Sequence, residues 1–203
     1  MTALLASWAI ALGADSSALT VPWHDDEGQV AYVDLQAHPE HIDEIPEARE
    51  NPVLAHVLAS LNAPESPWAT AKCDRWELDE DDLETASLDL DHEPDFAQAG
   101  TGSYIDLYHR DGKLFASLPQ HRDLLQRLVL AASGPNPVAI LELTLRRCIA
   151  EGAEGYAITA FLYAIGEEAA QAQANWAVAL AALAQILLES PIAGGDRMKD
   201  AGE

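Results

Sequence analysis

The chain has 203 residues, 49% of them hydrophobic, so it can bury a sizeable core as one large domain or two small packed ones. Asp and Glu outnumber Lys and Arg by 34 to 11, a formal charge of −23. Such a charge keeps a protein soluble and disfavours direct binding of nucleic acid or anionic lipid, both of which need Lys and Arg to displace counterions.

The charge is lopsided. Residues 1–100 hold 22 acids and 3 bases; residues 101–203 hold 12 acids and 8 bases. The negative field therefore belongs mostly to the first half, where a basic protein partner would be attracted. The two cysteines, Cys73 and Cys148, form no CxxC pair and no zinc spacing, and they read as small buried hydrophobes in a cytoplasmic protein. The apolar start, Met1 to Gly13, lacks the basic residues of a signal peptide and reads as a core element. No apolar run approaches the ~20 residues that span a bilayer.

Leu19 to Leu35 reads as a hairpin turning at Asp25-Asp26-Glu27-Gly28. Helical signals follow. Pro46 suits a first turn, and Asn51-Pro52 supplies a cap and first residue for the stripe Leu54, Val57, Leu58 and Leu61. Trp68 to Leu78 alternates as a strand and pairs, through a turn at Asp79 to Asp82, with a second strand at Ala86 to Leu90. In that strand Trp68 and Trp76 share a face, as do Ala69, Ala71 and Cys73. His92 to Gly102 reads as loop.

Tyr104 to Leu118 is predicted to be a third hairpin, because Asp111-Gly112 is a strong turn signal. Ser117-Leu-Pro-Gln120 caps a helix running to Ser133, with Leu124, Leu125 and Leu128 on one face. Val138 to Cys148 and Tyr156 to Ile165 form a fourth hairpin around residues 151–155. Last comes a long Ala-rich helix, Glu167 to Glu189, with Trp176, Leu180, Leu183 and Leu187 in one stripe.

The pattern predicts an α+β fold: an antiparallel sheet built from hairpins, helices on one face and a long C-terminal helix. Residues 1–190 are read as one domain, or as two packed halves at about 1–100 and 101–190. Residues 191–203 are read as a flexible tail.

No nucleophile motif, phosphate loop or calcium loop is present, so no catalytic residue and no cofactor are expected. His38-Pro-Glu-His41-Ile-Asp-Glu44 groups metal-ligand residue types, but its spacing is not HExxH and Pro39 interrupts a regular helix face. A solvated loop is expected there in place of a metal site. The densest acidic region offers Asp79, Glu80, Asp81, Asp82, Glu84, Asp89 and Asp91 to a basic partner. In small size, acidity and lack of catalytic motifs the chain resembles bacterial partner-binding proteins such as immunity proteins and secretion chaperones, a resemblance of composition only. The leading expectation is a non-enzymatic protein-binding module. The alternative is a small-molecule binder or enzyme with a pocket between the sheet and the last helix, using His24, His38, His41, Tyr104 and Tyr108. A third is a homo-oligomer joined through a sheet edge or the Ala-rich helix.

Overall fold

A computed structural model describes residues 2–13, 15–23, 32–92 and 97–190. Along the chain these form β1 (Leu5–Ala11), β2 (Leu19–Val21), a 3-10 turn (Pro39–Glu44), α1 (Pro46–Glu50), α2 (Pro52–Asn62), β3 (Trp68–Glu77) and α3 (Glu80–Asp89). Then follow β4 (Ala99–His109), α4 (Gly112–Phe115), α5 (Leu118–Ala132), β5 (Ile140–Ala150), β6 (Ala153–Gly166) and α6 (Ala169–Glu189). The strands make one sheet in the order β1-β5-β6-β4-β3, with β2 beside β1 on the same edge of β5. β1 and β2 run parallel to β5, and the remaining pairings are antiparallel. The fold is α+β, as the sequence predicts, but the sheet is mixed. Both halves of the chain contribute neighbouring strands.

Of the four predicted hairpins, the fourth forms, the second and third do not, and the turn of the first lies outside the described residues. β5 and β6 join through Glu151 and Gly152, whose positive φ angles of 51° and 80° suit a tight two-residue turn. At Leu19 to Leu35, β2 pairs with β5 and the Tyr32 N–H donates to the Trp23 carbonyl at 3.0 Å, while residues 24–31, with the predicted turn, lie outside the described region. The predicted strand at 86–90 is helix α3. Asp79 caps it by accepting from the Asp82 N–H at 2.9 Å, and three acids in its first turn suit the helix dipole. Leu83, Ala86 and Leu90 bury the inner side of α3 at helical spacing. Asp111-Gly112 likewise starts a helix: the Asp111 carboxylate accepts from the Lys113 and Leu114 N–H groups. The predicted α2 and α5 form as read, capped by Asn51 and Ser117.

One face of the sheet carries α2, α5 and α6. Leu141, Leu143 and Leu145 of β5, Ile158, Ala160 and Leu162 of β6, and Ile105 and Leu107 of β4 meet the helices there. Trp176, Leu180, Leu183 and Leu187 of α6 are all at most 2% exposed, and burying each such side chain stabilises by about 1.5–3 kcal/mol. α6 has 21 residues with no charge before Glu189, so by length and composition it could cross a membrane, a feature the sequence reading missed. Here half of it is buried, and its stripe fills the interface with the sheet.

β3 contains a bulge at Ala71, which shifts its register against β4 between Thr70 and Lys72. One extra residue reverses the alternation. Trp68 and Thr70 therefore face the helices, whereas Trp76 and Lys72 face the other way, and the predicted shared face of Trp68 and Trp76 does not exist. Cys73 is likewise separated from Ala69 and Ala71. Both cysteines are free thiols, and burial pushes each up to about 12. Further along β3, Gly102 opposite Trp76 lets the indole lie on β4: a Cβ there would sit 2.5–2.8 Å from the ring.

Two buried histidines link the fold to pH. His109 stacks edge-on to Trp68, and its Nδ1 accepts from the Asp111 N–H at 2.9 Å. His121 is fully buried on α5 beside Tyr156, with Nδ1 3.1 Å from the Ser117 carbonyl. The Nε2 atoms of both are buried without a partner. Burial therefore holds both rings below the usual imidazole pKa. The unfolded chain takes up these protons first, so stability falls as pH drops below about 6.5 towards the lower folded values. Urea midpoints measured from pH 7.5 to 5 should decline, and His109→Gln together with His121→Gln should flatten that slope.

Candidate functional site

Among the described residues, the second face of the sheet is covered only at its ends. At one end α3 packs Leu83, Ala86 and Leu90 over Ile140 and Ile165. At the other, Leu19, Val21, Phe115 and Tyr32 cover Ala71, Ala157, Cys148 and Tyr108. Between them opens a cleft of about 510 Å³, lined by Ala18, Leu19, Thr20, Pro22 and Trp23 on the β2 side. Lys72, Tyr104, Asp106, Arg146, Thr159 and Phe161 form its sheet side.

Pairing of the strands brings the polar residues together. Asp106 of β4 lies opposite Thr159 of β6 and Lys72 of β3. Arg146 of β5 points to the same face, one step along. The Thr159 hydroxyl donates to Asp106 Oδ1 at 2.5 Å, and Arg146 Nη1 lies 3.6 Å from that oxygen. Arg146 also donates to the Thr159 and Ser17 hydroxyls, each at 3.3 Å, which ties the segment before β2 to the cleft. Asp106 is 2% exposed, and burial raises its carboxyl above the usual range, against the opposing pull of Thr159, Arg146 and Lys72. Among the described residues, Arg146–Asp106 is the one ion pair joining an Arg or Lys to a carboxylate.

Lys72 is different. Its ammonium sits 5.0 Å from the Trp23 ring centre and 5.9 Å from that of Tyr104, and makes no ion pair with a described residue. Trp23 is itself fixed, since its indole N–H donates at 2.6 Å to the carbonyl of the bulged Ala71. The bulge therefore both turns Lys72 into the cleft and anchors the aromatic ring beneath it. Among the described residues, Arg146 and Lys72 against Asp106 leave the cleft floor with a net positive charge inside a strongly negative molecule.

The predicted pocket residues do not converge. His24 lies outside the described residues. Tyr104 lines the cleft. Tyr108 points to the same face but packs on Phe115, 6.1 Å between ring centres, away from the charged centre. His38 and His41 stack on each other, 5.0 Å apart, on the exposed 3-10 turn. The seven predicted partner-binding acids, Asp79 to Asp91, are all exposed on α3 and its flanks. Sequence reasoning missed Lys72, Asp106, Arg146 and Thr159. Beside the cleft, at the edge of β3, a second cavity of about 300 Å³ is lined by Val33, Ile45, Pro46, Leu58 and Cys73, with Trp23 and Lys72 common to both. Compared with protein-family models, with curated proteins and with solved structures, the chain matches none.

Proposed function

We propose that this protein binds a small organic anion in the cleft on the second face of its sheet. The observation that carries the reading is Lys72: an ammonium without a carboxylate partner among the described residues, held by two aromatic rings, in a chain with three times as many acids as bases. A carboxylate or phosphate oxygen would meet Lys72 and Arg146, and an apolar or aromatic body would rest on Trp23, Tyr104 and Phe161. Asp106 is already engaged by Arg146 and Thr159, so its role is to position Arg146. The overall negative charge slows the approach of an anion, but affinity is set by near charges in a cleft of lowered dielectric.

Thermal-shift measurements with phenylacetate, phenyl phosphate, phenethylamine and phenethyl alcohol test this directly. The two anions should raise Tm, and the amine and alcohol should not. Lys72→Met should weaken anion binding by roughly 10-fold or more, the scale of one hydrogen bond to a charged group. Stabilisation by the amine alone, or anion binding indifferent to Lys72, contradicts the reading.

A second reading rests on a different surface. Asp81, Asp82, Glu84 and Asp89 of α3 make no ion pair with a described Lys or Arg, and Leu88 among them is 62% exposed. An apolar residue ringed by unpaired carboxylates suits a basic protein partner, in line with the module expected from composition. Partner recovery from the native host should fall with ionic strength and with Glu84→Lys. Recovery indifferent to both counts against this reading.

A further inference from the structure

We infer that His38, Glu40 and His41 form a surface site for a divalent transition-metal ion of the zinc type. One ligand atom from each of the three lies within 4.8 Å of the others. Glu40 Oε1 is 3.3 Å from His38 Nδ1 and 3.8 Å from His41 Nε2, so a single ion between them needs only small side-chain rotations to reach bonding distance. The two imidazoles are near-parallel, 15° apart, and present their nitrogens to the same carboxylate.

The backbone holds this arrangement. The Asp34 carboxylate accepts from the Gln36 and Ala37 N–H groups, and the His38 N–H donates to the Asp34 carbonyl. Pro39 opens the 3-10 turn, and Ile42 and Ile45 pack against the core beneath it. The backbone of the turn is therefore held by its own hydrogen bonds before any ion arrives.

Glu44 supplies the outer partner. Its carboxylate is 3.6 Å from His41 Nδ1, the nitrogen left over when Nε2 binds metal. A carboxylate behind a ligating histidine fixes the ring and strengthens it as a ligand. Two imidazole nitrogens and one carboxylate oxygen suit zinc, nickel or copper, and are poor donors for magnesium or calcium, which prefer oxygen throughout. Three protein ligands leave positions open for water. The sequence spacing resembles no zinc motif because the 3-10 turn, not an α-helix, aligns the ligands.

Calorimetric titration of the intact chain with zinc chloride in a non-chelating buffer tests the site. One equivalent should bind, and magnesium chloride should give no heat. His38→Ala and His41→Ala should each weaken zinc by roughly 100-fold, and Glu44→Gln by about 10-fold. His56→Ala, an exposed histidine on α2 outside the cluster, should change nothing. Circular dichroism should show all four variants folded, since every side chain altered is at the surface. Absence of zinc binding, zinc binding that survives both His38→Ala and His41→Ala, or equal binding of magnesium overturns the site.

Discussion

Replacing Trp176 with Ala should lower the stability of this protein by about 3–5 kcal/mol, the range for emptying a buried aromatic site. Trp176 is 0% exposed at the centre of the α6 stripe. Its indole N–H donates to the Ser103 hydroxyl at 2.8 Å, and the Arg75 guanidinium lies 5.4 Å from its ring centre. Truncation leaves a cavity between α6 and β4 and an unpartnered hydroxyl beneath it. Trp176→Phe keeps most of the apolar contact and loses the hydrogen bond, so its cost should be smaller, about 1–2 kcal/mol. Urea unfolding at pH 7.5 measures both. An alanine variant within 1 kcal/mol of the parent, roughly the mean cost of an ordinary substitution, would mean that α6 is not a core helix.

Arg146→Ala should have the second largest effect, a loss of about 2–3 kcal/mol at neutral pH. That is slightly below the usual cost of stranding a buried charge, because Arg146 is partly exposed and Thr159 and Lys72 remain. The loss should depend on pH in a defined direction. Asp106 has a raised carboxyl pKa in the folded state, so the folded chain holds this proton more tightly than the unfolded one. Stability from this group therefore rises as pH falls through the folded value towards about 3.8. Without Arg146 the carboxyl is raised further, and the variant's deficit should shrink as Asp106 becomes neutral. Asp106→Asn in the same background should remove that dependence and restore part of the lost stability at pH 7. Urea midpoints of the parent and the two variants across pH 4–8 distinguish these outcomes. A deficit that is the same at every pH would mean that Arg146 acts only through packing.

The elements legible in the sequence are those with a single reading. The α6 stripe repeats at helical spacing with no competing alternation, and Asn51-Pro52 and Ser117 announce their helices by caps. Misread elements are those where one residue type serves two structures. Ala86, Leu88 and Leu90 alternate like a strand, yet Leu83, Ala86 and Leu90 also fit a helix; Leu88 then points to water. Asp111 makes a turn or caps a helix by the same side-chain bond to the backbone. Nothing about Ala71 marks a bulge, because the extra residue is specified by pairing with β4 and by the Trp23 indole, 48 positions away.

The cleft was partly readable. Asp106 interrupts the apolar stretch Tyr104–Tyr108, and Arg146-Arg147 interrupts the apolar run of β5. Opposite charges in two central strands each require a partner when buried, and each could supply the other. That inference needed the strand order, with β6 between them carrying Thr159 as the bridge. Charge counting drew attention to the exposed acids of α3, whereas the few bases carried the sharper signal.

The positive cleft is tested most directly by a nitrogen- and carbon-resolved NMR titration of the intact chain with phenylacetate, repeated with phenethylamine. Phenylacetate should shift the signals of Lys72, Tyr104, Arg146, Thr159 and Phe161 together, saturating on one curve, while the amine leaves them in place. Shifts scattered over the surface, or the same cleft responding to the amine and not to the acid, would contradict the account.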